Sequence, residues 1–388
     1  MKIDLKYGCN PHQVPAQVAV PEASHFQVIQ GRPSYINMLD AFGAWQLVRE
    51  LKAATGKPAA ASFKHTSPAG AAVAGSISEP YRQSQFLTID DLSPVANAYV
   101  RARGGDRMSS FGDVAAVSDV VDLSLARVLR SEVSDLIIAP GFEPEALELL
   151  KAKKRGSFLI FQVDPDYEPP QVETREVFGF GLQQKRNTAA VSEALFQKVV
   201  TSKKAIPPDV IETLIVATIA LKYTQSNSVC LAAEGQVIGM GAGQQSRVHC
   251  TRLACDKADK WLLQKHPKVL GLKFKDGLLK PDKANIVDQF LLWDQLSAPE
   301  KDQMLEGLLE KPEPISAGER AAWIAQNTGI CLSSDAFIPF RDNIDRASRS
   351  NVQYVAQAGG SLRDGDVTGA ADEYGMVMAH TGLRLFLH

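Results

Sequence analysis

Short apolar runs alternate along this chain with longer stretches of helical period, and that alternation leaves few architectures open to it. Runs this short, bounded by turn residues, read as strands buried on both faces, and the stretches between them as covering helices. Residues 59–64 form one such run, residues 135–139 another, stopped by Pro140-Gly141, and residues 157–163 a third, closed by Asp164-Pro165. Residues 228–233 and 236–240 flank Glu234-Gly235 as a hairpin, and residues 352–356 and 376–379 complete the set. Helices are expected over 36–54, with Asp40, Glu50 and Lys52 facing water, and over the proline-free 145–153, 191–200 and 211–221. The fold class is therefore α/β. At 388 residues the chain is long enough for two or three domains. Pro165, Pro169 and Pro170 mark 164–174 as the junction between halves. The polar stretch 297–318, with Pro299, Pro312 and Pro314, reads as a helical excursion. No sequence repeat is visible, which leaves open whether the two halves share a fold.

Composition removes several classes of function. Forty-two basic residues stand against 44 acidic ones, a formal charge of −2, so no broad basic footprint for nucleic acid exists. No apolar run approaches the ~18 residues that span a bilayer, and the amino terminus lacks the apolar core of a secretory signal. The five cysteines are scattered and never spaced as CxxC, which speaks against a disulfide framework and a paired-cysteine zinc site. A soluble, reduced, cytoplasmic protein without membrane or nucleic-acid partners is expected.

Five stretches carry candidate chemistry. In Ser62-Phe63-Lys64-His65-Thr66-Ser67-Pro68-Ala69-Gly70 an apolar strand runs into a Lys-His pair, and ligands of α/β sheets gather at strand ends. Histidine can act as a base near neutrality and lysine can stabilise an oxyanion. Taken alone, the dipeptide is explained more simply by a capped loop. Lys222-Tyr223-Thr224-Gln225-Ser226-Asn227-Ser228 is dense in hydroxyls and amides, suited to a ligand or a monovalent cation as much as to an ordinary loop. Gly239-Met240-Gly241-Ala242-Gly243-Gln244-Gln245-Ser246-Arg247 opens a helical segment but matches neither a Walker nor a Rossmann loop, so packing explains its glycines more readily. Val248, Cys255 and Leu262 recur on the expected buried face of that segment. The run from Ala102 through Arg107-Met108 to Gly112-Asp113 reads equally as ligand loop or solvated turn. Ser333-Ser334-Asp335-Ala336-Phe337-Ile338-Pro339-Phe340-Arg341-Asp342-Asn343 suits a stacked heterocycle, although a buried aromatic cluster with an Arg-Asp pair weighs more. The terminus Leu383-Arg384-Leu385-Phe386-Leu387-His388 is apolar around one arginine, which argues that Arg384 has a specific target.

In this order, these stretches closely resemble the AICAR transformylase part of the bifunctional purine-biosynthesis family that also carries IMP cyclohydrolase. The resemblance runs from Lys6-Tyr7-Gly8-Cys9-Asn10-Pro11-His12-Gln13 to the last residue. It implies two cytidine-deaminase-like α/β/α domains, at 1–168 and 169–388, with a helical insert at about 275–325. The zinc deaminase pattern of HxE with PCxxC is absent, so the implied likeness is of topology without zinc. The implied activity is formyl transfer from 10-formyltetrahydrofolate to the 5-amino group of AICAR, giving FAICAR, in a homodimer with active sites at its interface. By resemblance Lys64, His65 and Asn227 are catalytic. Lys6, Tyr7, Gly112, Asp135, Arg247, Phe337, Arg384 and His388 map to AICAR contacts, and Met108, Val248, Pro339, Phe340, Asp342 and Ser361 to folate contacts. A potassium site of some members maps to Leu221, Thr224, Ser226, Ser228, Asp335 and Leu385.

Three positions depart from the family pattern. Lys6 stands where arginine is usual, exchanging a planar fork for a point charge; Leu387 replaces a histidine and Ile338 a phenylalanine. Met1 lies just ahead of Lys6-Tyr7-Gly8, leaving no room for the cyclohydrolase domain, so no cyclohydrolase activity is expected and a separate protein would close the ring. Two rival readings remain: a non-catalytic nucleotide-binding paralogue, and an enzyme that takes formate and ATP in place of folate.

Overall fold

The computed structural model describes residues 2–388. In the first half, β1 (Lys2–Asp4) and β2 (Gln17–Ala19) form a small ribbon, followed by β3 (Gln27–Gln30), α1 (Tyr35–Thr55), β4 (Ala59–Lys64) and β5 (Ser67–Val73). Next come α2 (Glu79–Ser84), α3 (Pro94–Gly104), β6 (Asp113–Val117), α4 (Leu123–Ser131), β7 (Ser134–Ala139), α5 (Pro144–Lys151) and β8 (Leu159–Gln162). A hairpin of β9 (Val172–Val177) and β10 (Phe180–Lys185) then leads to α6 (Pro208–Lys222), β11 (Val229–Ala233), β12 (Gln236–Gly241) and α7 (Arg247–Leu263). Four helices, α8 (Pro267–Leu270), α9 (Lys280–Leu291), α10 (Ala298–Leu305) and α11 (Ala317–Ala325), precede β13 (Cys331–Ser334), α12 (Asp342–Arg349), β14 (Tyr354–Gln357), α13 (Asp364–Glu373) and β15 (Val377–His380).

One mixed sheet runs through both halves in the order β15-β14-β13-β11-β12-β5-β4-β6-β7-β8-β3. Each half contributes the same pattern. A hairpin (β4-β5, β11-β12) pairs antiparallel through its first strand with a third strand (β6, β13), and two parallel strands follow (β7 and β8, β14 and β15). The edges repeat as well: β3 lies antiparallel on β8, and Val199 bridges antiparallel to Ala379 of β15. The two halves therefore share a topology that their sequences do not advertise. Helices α1 and α6 cover one face, where Leu47, Leu51, Val216 and Ile219 pack on Ala61, Phe63 and Cys230. Helices α3, α4, α7 and α12 cover the other, where Tyr99, Leu125, Ala254 and Ile344 pack on Ala60, Ala115 and Leu231. Helices α8 to α11 carry their own apolar core, centred on Phe290, Ile286, Met304 and Leu308.

Two expectations fail. The helix over 191–200 is a single 3-10 turn, Glu193–Phe196. Its continuation pairs with β15 instead, Val200 N–H donating to Met378 and His380 N–H to Lys198, so the sheet edge is closed by this segment as β3 closes the other. Nor do all the α1 charges face water: Asp40 is only 4% exposed, beneath the β4–β5 turn, and Glu50 is part-buried, accepting from Lys222 and Tyr223.

The halves meet where β12 lies against β5. Val73 N–H donates to the Gly235 carbonyl, and Gln236 gives its side-chain amide to Arg101 O at 2.7 Å and Tyr81 Oη at 3.1 Å. The buried Arg101 guanidinium in turn reaches the Val73 and Glu234 carbonyls. Helix α3 can press on this seam because Gly70 has no side chain; a Cβ there would lie 2.0 Å from the Ala102 carbonyl oxygen. The insert is tied on by charge, Lys280 of α9 pairing with Glu132, which also holds Arg103 at 3.0 Å.

Two outcomes follow from this packing. Gly70→Ala is expected to cost about 3 kcal/mol by overpacking, read as a lowered midpoint in urea unfolding. For Glu132, burial alone would raise the carboxyl, but Arg103 and Lys280 bring it below the ordinary 4.5. A depressed folded value means stabilisation that is complete above pH 4.5 and disappears as pH falls through the folded value. The Tm gap between wild type and Glu132→Gln should accordingly be widest near neutrality and narrow steadily below pH 4.5.

Candidate active site

Strand direction gathers the candidate residues along one edge of the sheet. The carboxyl end of β4 meets the amino ends of β6 and β7, while β12, β13, β14 and β15 all finish at that same edge and β11 begins there. Lys64 is the last residue of β4, and its Nζ donates to the Phe111 carbonyl at 2.6 Å, beside Gly112. Gly112 has φ +75°, and a Cβ on it would come 3.4 Å from Asp135 Oδ2, so Lys64, Gly112 and Asp135 share one corner. Asp135 is paired there with Lys154, a residue the sequence reading passed over. Met108 lies half-buried in the same loop, whose Asp106 is anchored to Lys257 of α7 at 2.9 Å.

His65 and Thr66 form a two-residue hairpin turn, with φ of 51° and 60°. Both lie in the left-handed region, which a β-branched residue such as Thr66 rarely adopts. His65 is exposed. Asp40 supports the turn from below, accepting the Thr66 N–H at 2.6 Å and the His65 N–H as well. Burial pushes the Asp40 carboxyl up, and those two donors, with Lys64 and His65 nearby, pull it part of the way back.

The second loop reaches this turn through Gln225, whose Oε1 lies 3.3 Å from Thr66 Oγ1 and whose N–H donates to Ser67 Oγ at 3.2 Å. Asn227 does not bond to His65. Its amide donates to the Gln244 and Gln245 carbonyls at 3.0 and 3.2 Å, and its Oδ1 accepts from Arg247 at 2.8 Å. Arg247, mapped to the AICAR contacts, is buried in an ion pair with Asp335 and also donates to Ser334 Oγ at 2.9 Å and the Ser228 carbonyl at 3.3 Å. Loss of either partner of such a pair costs about 3–5 kcal/mol. Val248 follows, half-buried, in the first turn of α7. The glycines ahead of α7 serve packing, since a Cβ on Gly239 or Gly241 would lie 2.1 Å from the Ala254 or Cys250 carbonyl.

Of the residues mapped to a cation, Ser228 and Leu385 contact Asp335. Ser228 donates its N–H and hydroxyl to Asp335 Oδ2 at 2.8 and 3.1 Å, and Leu385 N–H donates to the Asp335 carbonyl. Thr224 N–H donates to the Leu221 carbonyl, and Ser226 exchanges hydrogen bonds with Leu387. The C-terminal segment thus lies along the second loop. Arg384 is exposed over the Phe386 ring at 5.0 Å, and Phe386 meets His388 edge-on.

The aromatic stretch is no buried cluster. Phe337 and Phe340 are 45% and 54% exposed, and Arg341 pairs with Asp345 and Glu373. Gln357, fully buried, accepts the Ile338 and Gly359 N–H groups and so joins the Pro339-Phe340-Asp342 segment to the Ser361 loop. Arg363 from that loop lies 5.3 Å from the Phe340 ring. Lys6 and Tyr7 are held at the start of α1, Lys6 N–H donating to Pro33 and Tyr35 N–H to Tyr7, with the Lys6 ammonium over the tyrosine ring. Helix α1 therefore links them to the His65 turn. Sequence reasoning missed the roles of Asp40, Lys154 and Gln357, and named Gln225 only as part of its stretch; the groups Asp40, Lys154 and Gln225 act on lie well away in sequence, as does Ile338, one of the two groups that Gln357 holds.

The comparisons with known proteins agree with one another. The bifunctional purine biosynthesis protein PurH of Roseobacter denitrificans is 30% identical over 99% of this chain, and that of Cereibacter sphaeroides is equally similar. The PurH of Sorangium cellulosum is 29% identical over 99% of the chain. The chain spans 58–59% of the length of these relatives. The family described as AICARFT/IMPCHase bienzyme matches residues 1–257, and with this coverage the chain belongs to that family of purine-biosynthesis enzymes.

Proposed function

We propose that these residues transfer a formyl group from 10-formyltetrahydrofolate to the 5-amino group of AICAR, yielding FAICAR and tetrahydrofolate. The observation that carries this reading is the Lys64-His65 pair, where β4 passes into a two-residue turn that Gln225 bridges to the Asn227 loop. The amino group of AICAR is a weak nucleophile because the ring and carboxamide withdraw its electron pair. Its nitrogen attacks the formyl carbon while His65 takes the proton, and Lys64 stabilises the oxyanion that forms. Collapse breaks the bond from that carbon to folate N10, and His65 returns the proton to the departing nitrogen. Lys64 already points its ammonium at a carbonyl, Phe111, so a carbonyl-type oxygen is an apt partner for it.

In this reading the nucleotide lies between the Gly112–Asp135 corner and the C-terminal segment. The exposed Arg384, with Lys6, meets phosphate, while Arg247 acts from inside by fixing Asn227. The exposed Phe337 and Phe340 take the flat pterin, aided by Asp342 and Ser361. Leu221, Thr224, Ser226, Ser228, Asp335 and Leu385 offer only oxygens, the donor chemistry of an alkali cation, and would hold potassium as a structural charge. The repeated strand order supports a deaminase-like ancestry for both halves. A second copy is proposed to complete the site across a dimer interface, as the exposed Phe178, Phe180 and Leu182 of the β9–β10 hairpin support. The reading covers formyl transfer; it assigns ring closure to none of these residues.

Tetrahydrofolate release, followed by absorbance with AICAR and 10-formyltetrahydrofolate, tests the reading. His65→Ala and Lys64→Ala are each expected to lower kcat by roughly 10²–10⁴-fold with KM for AICAR little changed. Turnover that survives both substitutions would exclude this pair, and a folded wild type that binds AICAR without turnover would favour a non-catalytic protein.

A further inference from the structure

The repeated topology allows one half of the molecule to serve as a control for the other. In the second half, the hairpin turn Glu234-Gly235 is supported from the helix beneath it, Gly235 N–H donating to the buried Thr213 hydroxyl at 3.0 Å. Thr213 is the sixth residue of α6, and Asp40 is the sixth residue of α1. The two side chains occupy the same place in the repeat and do the same mechanical work, accepting an N–H from the second residue of the turn. A neutral hydroxyl is therefore sufficient to hold such a turn. At the Glu234-Gly235 turn, glycine also relieves the left-handed backbone, whereas His65-Thr66 has no such relief.

A carboxylate in this place costs desolvation that a hydroxyl avoids. It is kept 4% exposed, directly under the only one of the two turns that carries a Lys-His pair; burial pushes the carboxyl up, and the backbone donors of the turn, with Lys64 and His65 nearby, oppose that push. We propose that Asp40 is a positioning residue for Lys64 and His65, and that its negative charge, beyond its acceptor oxygen, is what the first turn requires. Resting on the formyl-transfer reading, the charge stabilises the imidazolium created when His65 takes the amino proton, and the clamp fixes the direction in which the imidazole points. The arrangement resembles in logic the carboxylate behind a catalytic histidine, but here it acts through the backbone of the turn and through space.

Asp40→Asn and Asp40→Thr, the latter copying the second half, separate charge from clamp. Three readouts are taken for each: kcat and KM for AICAR, amide hydrogen exchange of the peptide containing His65 and Thr66, and the rate of His65 modification by diethyl pyrocarbonate near pH 6. Both variants are expected to keep the turn protected and KM within a few-fold, while kcat falls by about 10–100-fold, as loss of one preorganised charge implies. Modification of His65 should be faster in both, because the neutral ring is the reactive form. Full kcat with a protected turn would overturn the proposal, since the clamp alone would then suffice. Faster exchange accompanying the loss of kcat would overturn the claim about charge, leaving a merely mechanical role. A wild type that transfers no formyl group, but whose His65 still becomes more reactive in the variants, would sink the reaction and leave the Asp40–His65 coupling standing. Unchanged His65 reactivity would sink the coupling whatever the activity.

Discussion

The contact of β12 with β5 is the constraint on which the rest of this molecule depends. Each half alone would leave a hairpin strand as a raw sheet edge, and joining the two edges satisfies both. The seam is reinforced from within by a buried guanidinium, Arg101, which bonds carbonyls of both halves, and by Gln236 reaching Arg101 and Tyr81. Burial lowers the Arg101 pKa from its ordinary value, a sign of how dry the seam is. Because β5 and β12 run antiparallel, and β12 in turn against β11, the turn that ends β4 and the loop that enters β11 emerge at the same edge. Without that alignment Gln225 could not meet both Thr66 and Ser67.

Much of this was legible in the chain. The strands ending in Lys64 and flanking Glu234-Gly235 lie where apolar runs and turn residues put them, because both faces of the sheet are covered and the middle of those runs must be apolar or small. Residues 191–200 misled because their helical period is a local property, whereas their pairing with β15 is set by an edge that needs closing 180 residues later. The β9–β10 hairpin starts at the end of the stretch read as a junction and runs on to Lys185, its Phe178-Gly179 turn the one signal that could have shown it.

Asp40 and Arg247 teach a different lesson. A charge in a helix is assigned to water by default, and a charge near a ligand loop to the ligand. Asp40 is buried because two amide donors await it at His65 and Thr66, and Arg247 is buried because Asp335, Asn227, Ser228 and Ser334 surround it. Neither set of partners is adjacent in sequence. The candidate site is thus built in two layers: exposed groups, His65, Phe337, Phe340 and Arg384, face solvent, and buried charges beneath them set their geometry.

The most direct test of this account is a structure of the protein with AICAR bound. The account predicts the 5-amino nitrogen within hydrogen-bond reach of the His65 imidazole, about 3 Å, the phosphate at Arg384, and the ribose near Asp135. AICAR seated away from the β4–β5 turn, or with its amino group facing away from His65, would contradict it.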